Sequence, residues 1–277
     1  ELEGQLVGVE PVKRQIRMLC ETAIATERRE LLGIERRPVG NHMLFIGNPG
    51  TGKSTVAEIV ARLLHSIGAV PTAKLSIHEN ARSALCGTTL GSTAHQTKEV
   101  LLSAMCTGLK WENGGTLMLD EAYSLLPMKG GEDYSTEAIT QLVALADKLR
   151  GKLAIILAGY WEQPNNRDIK HLLRENSGLD SRFPLHNRID FPDYKPPELL
   201  KIAKNMMDWH ENKLDEKDDG AARRALSEKL SVPLPGNARD VRSILEAAMR
   251  KRDLRIAAID GPTRDDLTIL KAEDFAE

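Results

Sequence analysis

Aromatic residues are scarce in this chain: three Trp, four Tyr and four Phe among 277 residues, or 4%. Sandwich and barrel strands draw heavily on aromatic and β-branched side chains. The scarcity therefore argues against an all-β fold and for an Ala/Leu-rich helical or α/β one. Cysteine is equally sparse: Cys20, Cys86 and Cys106 show no metal-ligand spacing and cannot all pair, which fits a reducing cytoplasm. The longest apolar run, residues 153 to 158, is too short to cross a bilayer, and no secretory-signal pattern opens the chain. A surplus of charge is also missing. With 38 basic and 40 acidic residues and a net charge of −2, nothing marks a polyanion or general nucleic-acid binder. What is present is 41% hydrophobic and 28% charged residues, the balance of a folded globular chain. The length suits one large domain or two modest ones. The chain runs from Glu1 to Glu277 without an initial Met, and is expected to be a trimmed core or one module of a longer polypeptide.

Short apolar stretches alternate with helical patterns from about residue 40 to 194. Residues 42–46, 74–78, 116–119, 153–157 and 188–191 are predicted strands. Between them, Val56, Ile59, Val60, Leu63, Leu64 and Ile67 recur at helical spacing. Thr93 followed by Gln96 resembles a capping box opening a helix to about Met105. Ile139, Leu142, Val143, Ala146 and Leu149 form another helical face, and 165–174 is predicted helical. Strands alternating with helices imply a parallel sheet with crossover helices. Continuously apolar strands imply that both sheet faces are covered. Beyond Pro192, Pro196 and Pro197 no strand pattern appears, and 199–209, 221–230 and 237–259 read as helices. The expectation is an α/β domain over 1–194 followed by a small all-helical domain over 195–277.

Gly47-Asn48-Pro49-Gly50-Thr51-Gly52-Lys53-Ser54 matches G-x-x-x-x-G-K-[ST] between a predicted strand and a strongly periodic helix. In such a loop backbone N–H groups curl around phosphate oxygens, and the helix N-terminus adds a favourable dipole. Lys53 is the candidate contact to the β- and γ-phosphates of ATP, and Ser54 a candidate Mg²⁺ ligand. The third strand ends in Leu117-Met118-Leu119-Asp120-Glu121-Ala122. An apolar strand delivering adjacent acids to a sheet's carboxyl edge suits a second Mg²⁺ contact at Asp120 and a water-polarising base at Glu121.

Together with these motifs, further phrases carry a family resemblance. They are His42-Met43-Leu44-Phe45-Ile46, Thr97-Lys98-Glu99-Val100-Leu101, Asp120-Glu121-Ala122-Tyr123, Ile156-Leu157-Ala158-Gly159-Tyr160 and Ile189-Asp190-Phe191-Pro192-Asp193-Tyr194. The chain resembles an AAA+ ATPase, in the group containing CbbX, SpoVK and EccA-like secretion ATPases, from about residue 6 to 255. The resemblance implies a P-loop NTPase with a five-stranded parallel sheet flanked by helices and a helical lid. It also implies ATP and Mg²⁺, a homo-oligomeric ring expected to be a hexamer, and a protein partner that the ring remodels. Asn48, Pro49, Gly50, Thr51, Gly52, Lys53 and Ser54 would cradle the phosphates. The backbone of Val7 and Gly8 would lie against the adenine. Arg182, in Gly178-Leu179-Asp180-Ser181-Arg182-Phe183, matches the arginine finger that acts on a neighbour's site, with Arg188 a second candidate. Arg239, in Gly236-Asn237-Ala238-Arg239, matches the lid arginine that reaches its own subunit's phosphates.

The resemblance has departures. Tyr160 stands about where many relatives place a polar sensor at the end of the fourth strand. Residues 87–92, Gly-Thr-Thr-Leu-Gly-Ser, stand where CbbX has an aromatic-containing pore loop. The stretch 106–114, with Trp111, is longer than in CbbX. The expected function is a cytoplasmic (or, in a eukaryote, stromal) ATPase that neither enters a membrane nor binds nucleic acid. The alternative is a nucleotide-gated scaffold that hydrolyses ATP slowly or not at all.

Overall fold

Uninterrupted apolar runs become strands here because helices cover both faces of the sheet they build. The computed structural model describes residues 7–8, 10–34, 40–89, 91–105, 114–128, 133–217, 219–257 and 259–276. The elements run α1 (Glu10–Leu31), β1 (Met43–Gly47), α2 (Lys53–Ser66), β2 (Leu75–His78), α3 (Ala81–Leu85) and α4 (Ser92–Ser103). They continue with β3 (Gly115–Leu119), α5 (Ser135–Lys148), β4 (Leu153–Gly159), α6 (Ile169–Glu175), α7 (Ser177–Arg182) and β5 (Arg188–Phe191). The five strands form one sheet of order β2-β3-β4-β1-β5, parallel throughout, with Phe45 level with Ala158 on one side and Ile189 on the other.

Alternation along each strand divides the core. Leu44, Ile46, Leu117, Leu119, Ile155 and Leu157 pack with residues of α4 to α7. Met43, Phe45, Met118, Ile156 and Ala158 are buried on the other face, as is the apolar face of α2. There the Phe45 and Phe191 rings meet at 5.1 Å between centroids. β1 feeds its crossover toward β2, whereas β4 feeds its crossover toward β5. Such a switch opens a crevice at the carboxyl ends of the strands, where α/β sheets take their ligands.

The chain divides into two compact units: Glu10–Gly47 with Lys53–Phe191, and Glu1–Val9 with Asn48–Gly52 and Pro192–Glu277. The second is built on α8 (Pro196–Trp209), α9 (Ala221–Lys229), α10 (Ala238–Ile256) and α11 (Arg264–Thr268). Leu199, Ala203 and Met207 recur every fourth residue, as do Val241 and Leu245. These side chains close a small core with Leu226, Leu230, Leu270 and Phe275.

Three local readings need correction. Thr93 is not in a capping box: α4 starts at Ser92 after Gly91. The Thr93 hydroxyl accepts from the Gly87 N–H at 3.1 Å, and Gln96 Nε2 donates to the Ala84 carbonyl at 2.8 Å. The helix expected from 165 begins at Ile169, because the Asp168 carboxylate caps it by accepting from the His171 N–H at 2.8 Å. The lid also holds a two-residue parallel pair, β6 (Lys213–Leu214) with β7 (Ile269–Leu270), too short to leave a pattern in sequence. The stretch 106–113 and Leu90, both singled out above, lie outside the described residues.

Candidate nucleotide site

Strand β1 ends at Gly47 and β3 at Leu119, so Gly47 and the acids Asp120 and Glu121 stand at the sheet's carboxyl edge. Lys53 opens α2 and is 9% exposed. Its Nζ donates to the Gly47 carbonyl at 2.9 Å, which turns the side chain back toward the end of β1. Ser54 follows on the same helix, with its side chain in solvent.

Asp120 is the first residue past β3, fixed by its N–H to the His78 carbonyl at 2.8 Å. Its Oδ1 accepts from the Glu121 N–H at 2.9 Å. Glu121 sits at φ 48°, ψ 40°, a left-handed conformation that non-glycine residues adopt at a cost and that clusters at functional sites. Asn80 Nδ2 donates to Glu121 Oε2 at 2.9 Å. Asn80 is itself held, because its Oδ1 accepts from the Ser83 N–H as the cap of α3.

Tyr123 and Tyr160 follow the third and fourth strands, with ring centroids 5.7 Å apart. Gly159 permits this: a Cβ there would stand 2.9 Å from Tyr123 Cδ1. Burial, reinforced by the Glu121 charge, pushes the Tyr123 phenol up to about 12. Tyr160 therefore packs against a tyrosine beside the acid pair.

The other unit holds residues 48–52 in place. Thr51 Oγ1 donates to the Asn48 carbonyl at 2.7 Å. Asn48 Nδ2 donates to both Asp193 carboxylate oxygens, at 2.9 and 3.0 Å. Gly50 has φ +70°, and a Cβ on it would fall 2.0 Å from the Gly236 carbonyl oxygen, so no other residue fits. Arg239 is exposed on the first turn of α10, and its guanidinium has no partner among the described residues. Val7 and Gly8 are half-buried, with Gly8 at φ +65° and a Cβ there 2.1 Å from Glu198 Oε1.

Arg182 is the last residue of α7. It forms an ion pair with Asp147 of α5 and donates to the Gly178 carbonyl at 3.1 Å. Arg188 lies 4.0 Å from the centroid of the Trp161 ring and pairs with Asp190.

The donor set can be tested for ATP and Mg²⁺. Among the described residues no group of three or more His, Cys, Asp or Glu could hold a metal ion. A hydroxyl and one or two carboxylates, with phosphate oxygens completing the shell, are what Mg²⁺ takes. Ser54 and Asp120 supply those, so the residues fit. The small unit also has a cavity of about 640 Å³ lined by Leu200, Lys204, Met207 and Arg223, but no candidate site residue lines it.

Three signals were missed in the sequence reading. Asn80 is a polar residue just past a strand end. Asp193 and Asn237 lie inside phrases already recognised for other residues.

Residues 43–184 match the ATPase family associated with various cellular activities (AAA), and 195–277 match the AAA lid domain. The chain belongs to the AAA ATPase family. It is 34% identical over 275 residues to stage V sporulation protein K of Bacillus subtilis, covering 98% of this chain and 80% of that one. It is 36% identical over 263 residues to the protein CbbX of Cereibacter sphaeroides, covering 95% and 80%. It is 34% identical over 277 residues to the chloroplastic ribulose bisphosphate carboxylase/oxygenase activase of Cyanidioschyzon merolae, covering 99% and 89%. A solved structure of the FIGL-1 AAA domain with ADP shares the fold, with TM-score 0.58 at 19% identity over 97% of this chain and 80% of that one. No helix among the described residues is long and apolar enough to cross a membrane.

Proposed function

We propose that this chain is a Mg²⁺-dependent ATPase that assembles into a ring, a hexamer by family analogy, and uses hydrolysis to remodel a protein partner. The observation that carries the reading is the acid pair at the end of β3, with the Glu121 carboxylate held ready by Asn80 at 2.9 Å. A chain that only gated its shape with nucleotide would have no need to position that carboxylate. The nucleotide-binding domain is proposed to span 1–194 and the lid 195–277.

Residues 48–52 bind phosphate through backbone N–H groups. Lys53 places its ammonium at the β- and γ-phosphates, and Ser54 and Asp120 hold the metal. When bound, Mg²⁺ neutralises charge developing on the transferred phosphoryl group. Glu121 orients and polarises the attacking water, while Tyr160 packs beside it. Val7 and Gly8 contact the base. Arg239 reads the phosphates from the lid. Arg182 leaves Asp147 to reach the site of a neighbouring subunit. One relative is named a chloroplastic ribulose bisphosphate carboxylase/oxygenase activase, which supports a protein client in the cytoplasm or a stroma. Residues 87–89 and 91–92 contain no aromatic, which favours a brief local tug on that client over gripping an extended chain.

The test is phosphate release with Mg²⁺ and with a chelator, alongside particle mass with and without ATP. Metal-dependent turnover by a ring supports the reading; nucleotide binding without turnover at any concentration returns it to a scaffold.

A further inference from the structure

Three consecutive carbonyls of the phosphate loop are taken by one side of the small unit. The Pro49 carbonyl accepts from Asn237 Nδ2 at 3.3 Å, the Gly50 carbonyl from the Ala238 N–H at 3.2 Å, and the Thr51 carbonyl from the Tyr194 hydroxyl at 3.1 Å. No peptide bond here is cis. Across a trans peptide, the C=O of one residue and the N–H of the next point in opposite directions. Fixing those three carbonyls therefore turns the N–H groups of Gly50, Thr51 and Gly52 away from Asn237, Ala238 and Tyr194. None of these N–H groups donates to Asn237, Ala238 or Tyr194. Backbone N–H groups fixed on one side of a loop in this way form a concavity suited to anionic oxygens.

The residues doing the fixing are themselves locked. Asn237 is 1% exposed and adopts φ 52°, ψ −125°, a conformation that persists only when its surroundings demand it. Its Oδ1 accepts from the Tyr194 N–H at 2.9 Å, and its Nδ2 donates to Asp193 Oδ1 at 2.8 Å. Asp193 in turn holds Asn48. The loop is thus gripped from its carbonyl side by Tyr194, Asn237 and Ala238.

We propose that Asp193, Tyr194 and Asn237 are positioning residues that preset the phosphate-binding N–H groups of Gly50, Thr51 and Gly52, so that polyphosphate affinity depends on this clasp. The proposal rests on the nucleotide-site reading above and adds residues to it. Recognition is of the polyphosphate, not of the base. ADP and inorganic pyrophosphate should therefore weaken together when the clasp is cut.

The experiment uses the full chain with Tyr194→Phe, which removes only the hydroxyl, and Asn237→Gly, which tolerates the unusual backbone while deleting the side chain. Calorimetry gives affinities for ADP and pyrophosphate, and steady-state assays give KM and kcat for ATP. Losing one neutral hydrogen bond should weaken both ligands about threefold in Tyr194→Phe, and losing several about tenfold or more in Asn237→Gly. The KM for ATP should rise by more than kcat falls. If Asn237→Gly does not fold, Tyr194→Phe decides alone. Affinities within about twofold of the parent, or a fall in kcat with KM unchanged, would overturn the clasp. A parent chain that binds no ADP would overturn the nucleotide-site reading, and the clasp with it.

Discussion

Asn80 Nδ2 donates to Glu121 Oε2 at 2.9 Å, joining the second residue past β2 to the second residue past β3. The same Asn80 caps α3 through the Ser83 N–H at 3.0 Å. Its two roles can be separated. Asn80→Asp keeps a capping oxygen but loses the donor and sets a like charge against Glu121. Asn80→Ala loses both. We expect Asn80→Asp to lower kcat about tenfold with little change in ATP affinity. Asn80→Ala should in addition reduce stability by about 1 kcal/mol. Denaturant titrations and steady-state kinetics separate the two. An unchanged kcat in Asn80→Asp would remove Asn80 from the hydrolytic step.

Lys53 and Glu121 divide binding from chemistry. Lys53→Ala should weaken ATP binding roughly 100-fold, because a charge-assisted contact to phosphate is lost. Glu121→Gln should bind ATP nearly as the parent does but turn over about 100-fold or more slowly. Binding and turnover are measured separately. Equal loss of binding in both variants contradicts this division.

Arg182 is paired within its own chain to Asp147, whereas its proposed work lies across a subunit boundary. Arg182→Ala should leave ATP affinity nearly unchanged while lowering kcat about 1,000-fold. Turnover per subunit should rise with protein concentration. Mixing Lys53→Ala with Arg182→Ala should restore part of the activity, since some interfaces then pair an intact Arg182 with an intact Lys53. A strictly monomeric chain with full activity rules this out.

The sheet and the acid pair were legible because they rest on local signals. The five runs of apolar residues needed no tertiary context, and Asp120 and Glu121 were visible as acids ending one of them. The start of the helix at Ile169 was not legible, because it depends on which nearby polar residue caps. Asp168 took that place by accepting from two N–H groups, those of Gln163 and His171. The role of Asn237 was hidden for a different reason. Its partners Asp193 and Pro49 lie 44 and 188 residues away, and no spacing rule spans such distances. Asn80 fell between: a polar residue past a strand end is a visible signal, but its partner Glu121 lies 41 residues on.

Asp133 gives the fold a pH dependence whose sign can be worked out. Its carboxylate accepts from the Met128 N–H at 2.8 Å, the Ser135 N–H at 2.9 Å and Arg82 Nη1 at 3.1 Å. Partial burial by itself would raise its pKa. The Ser135 side chain and N–H, the Met128 N–H and the Arg82 guanidinium outweigh that and hold it well below the usual carboxylate range. A group depressed in the folded state binds its proton more readily in the unfolded state, so stability rises with pH through that window. The contribution is fully present above the unfolded carboxyl pKa of about 3.9 and is lost as pH falls below it toward the folded value. Arg82 also donates to the Ser124 and Leu126 carbonyls at 2.7 and 2.9 Å, so the pair joins α3 to the segment after the acid pair. Asp133→Asn should therefore destabilise the chain at pH 6. The gap from the parent should shrink as pH drops below about 4. Urea midpoints of both proteins between pH 6 and the lowest pH at which each still folds provide the measurement. A gap that stays constant across that range would show that Asp133 contributes through shape and not through charge.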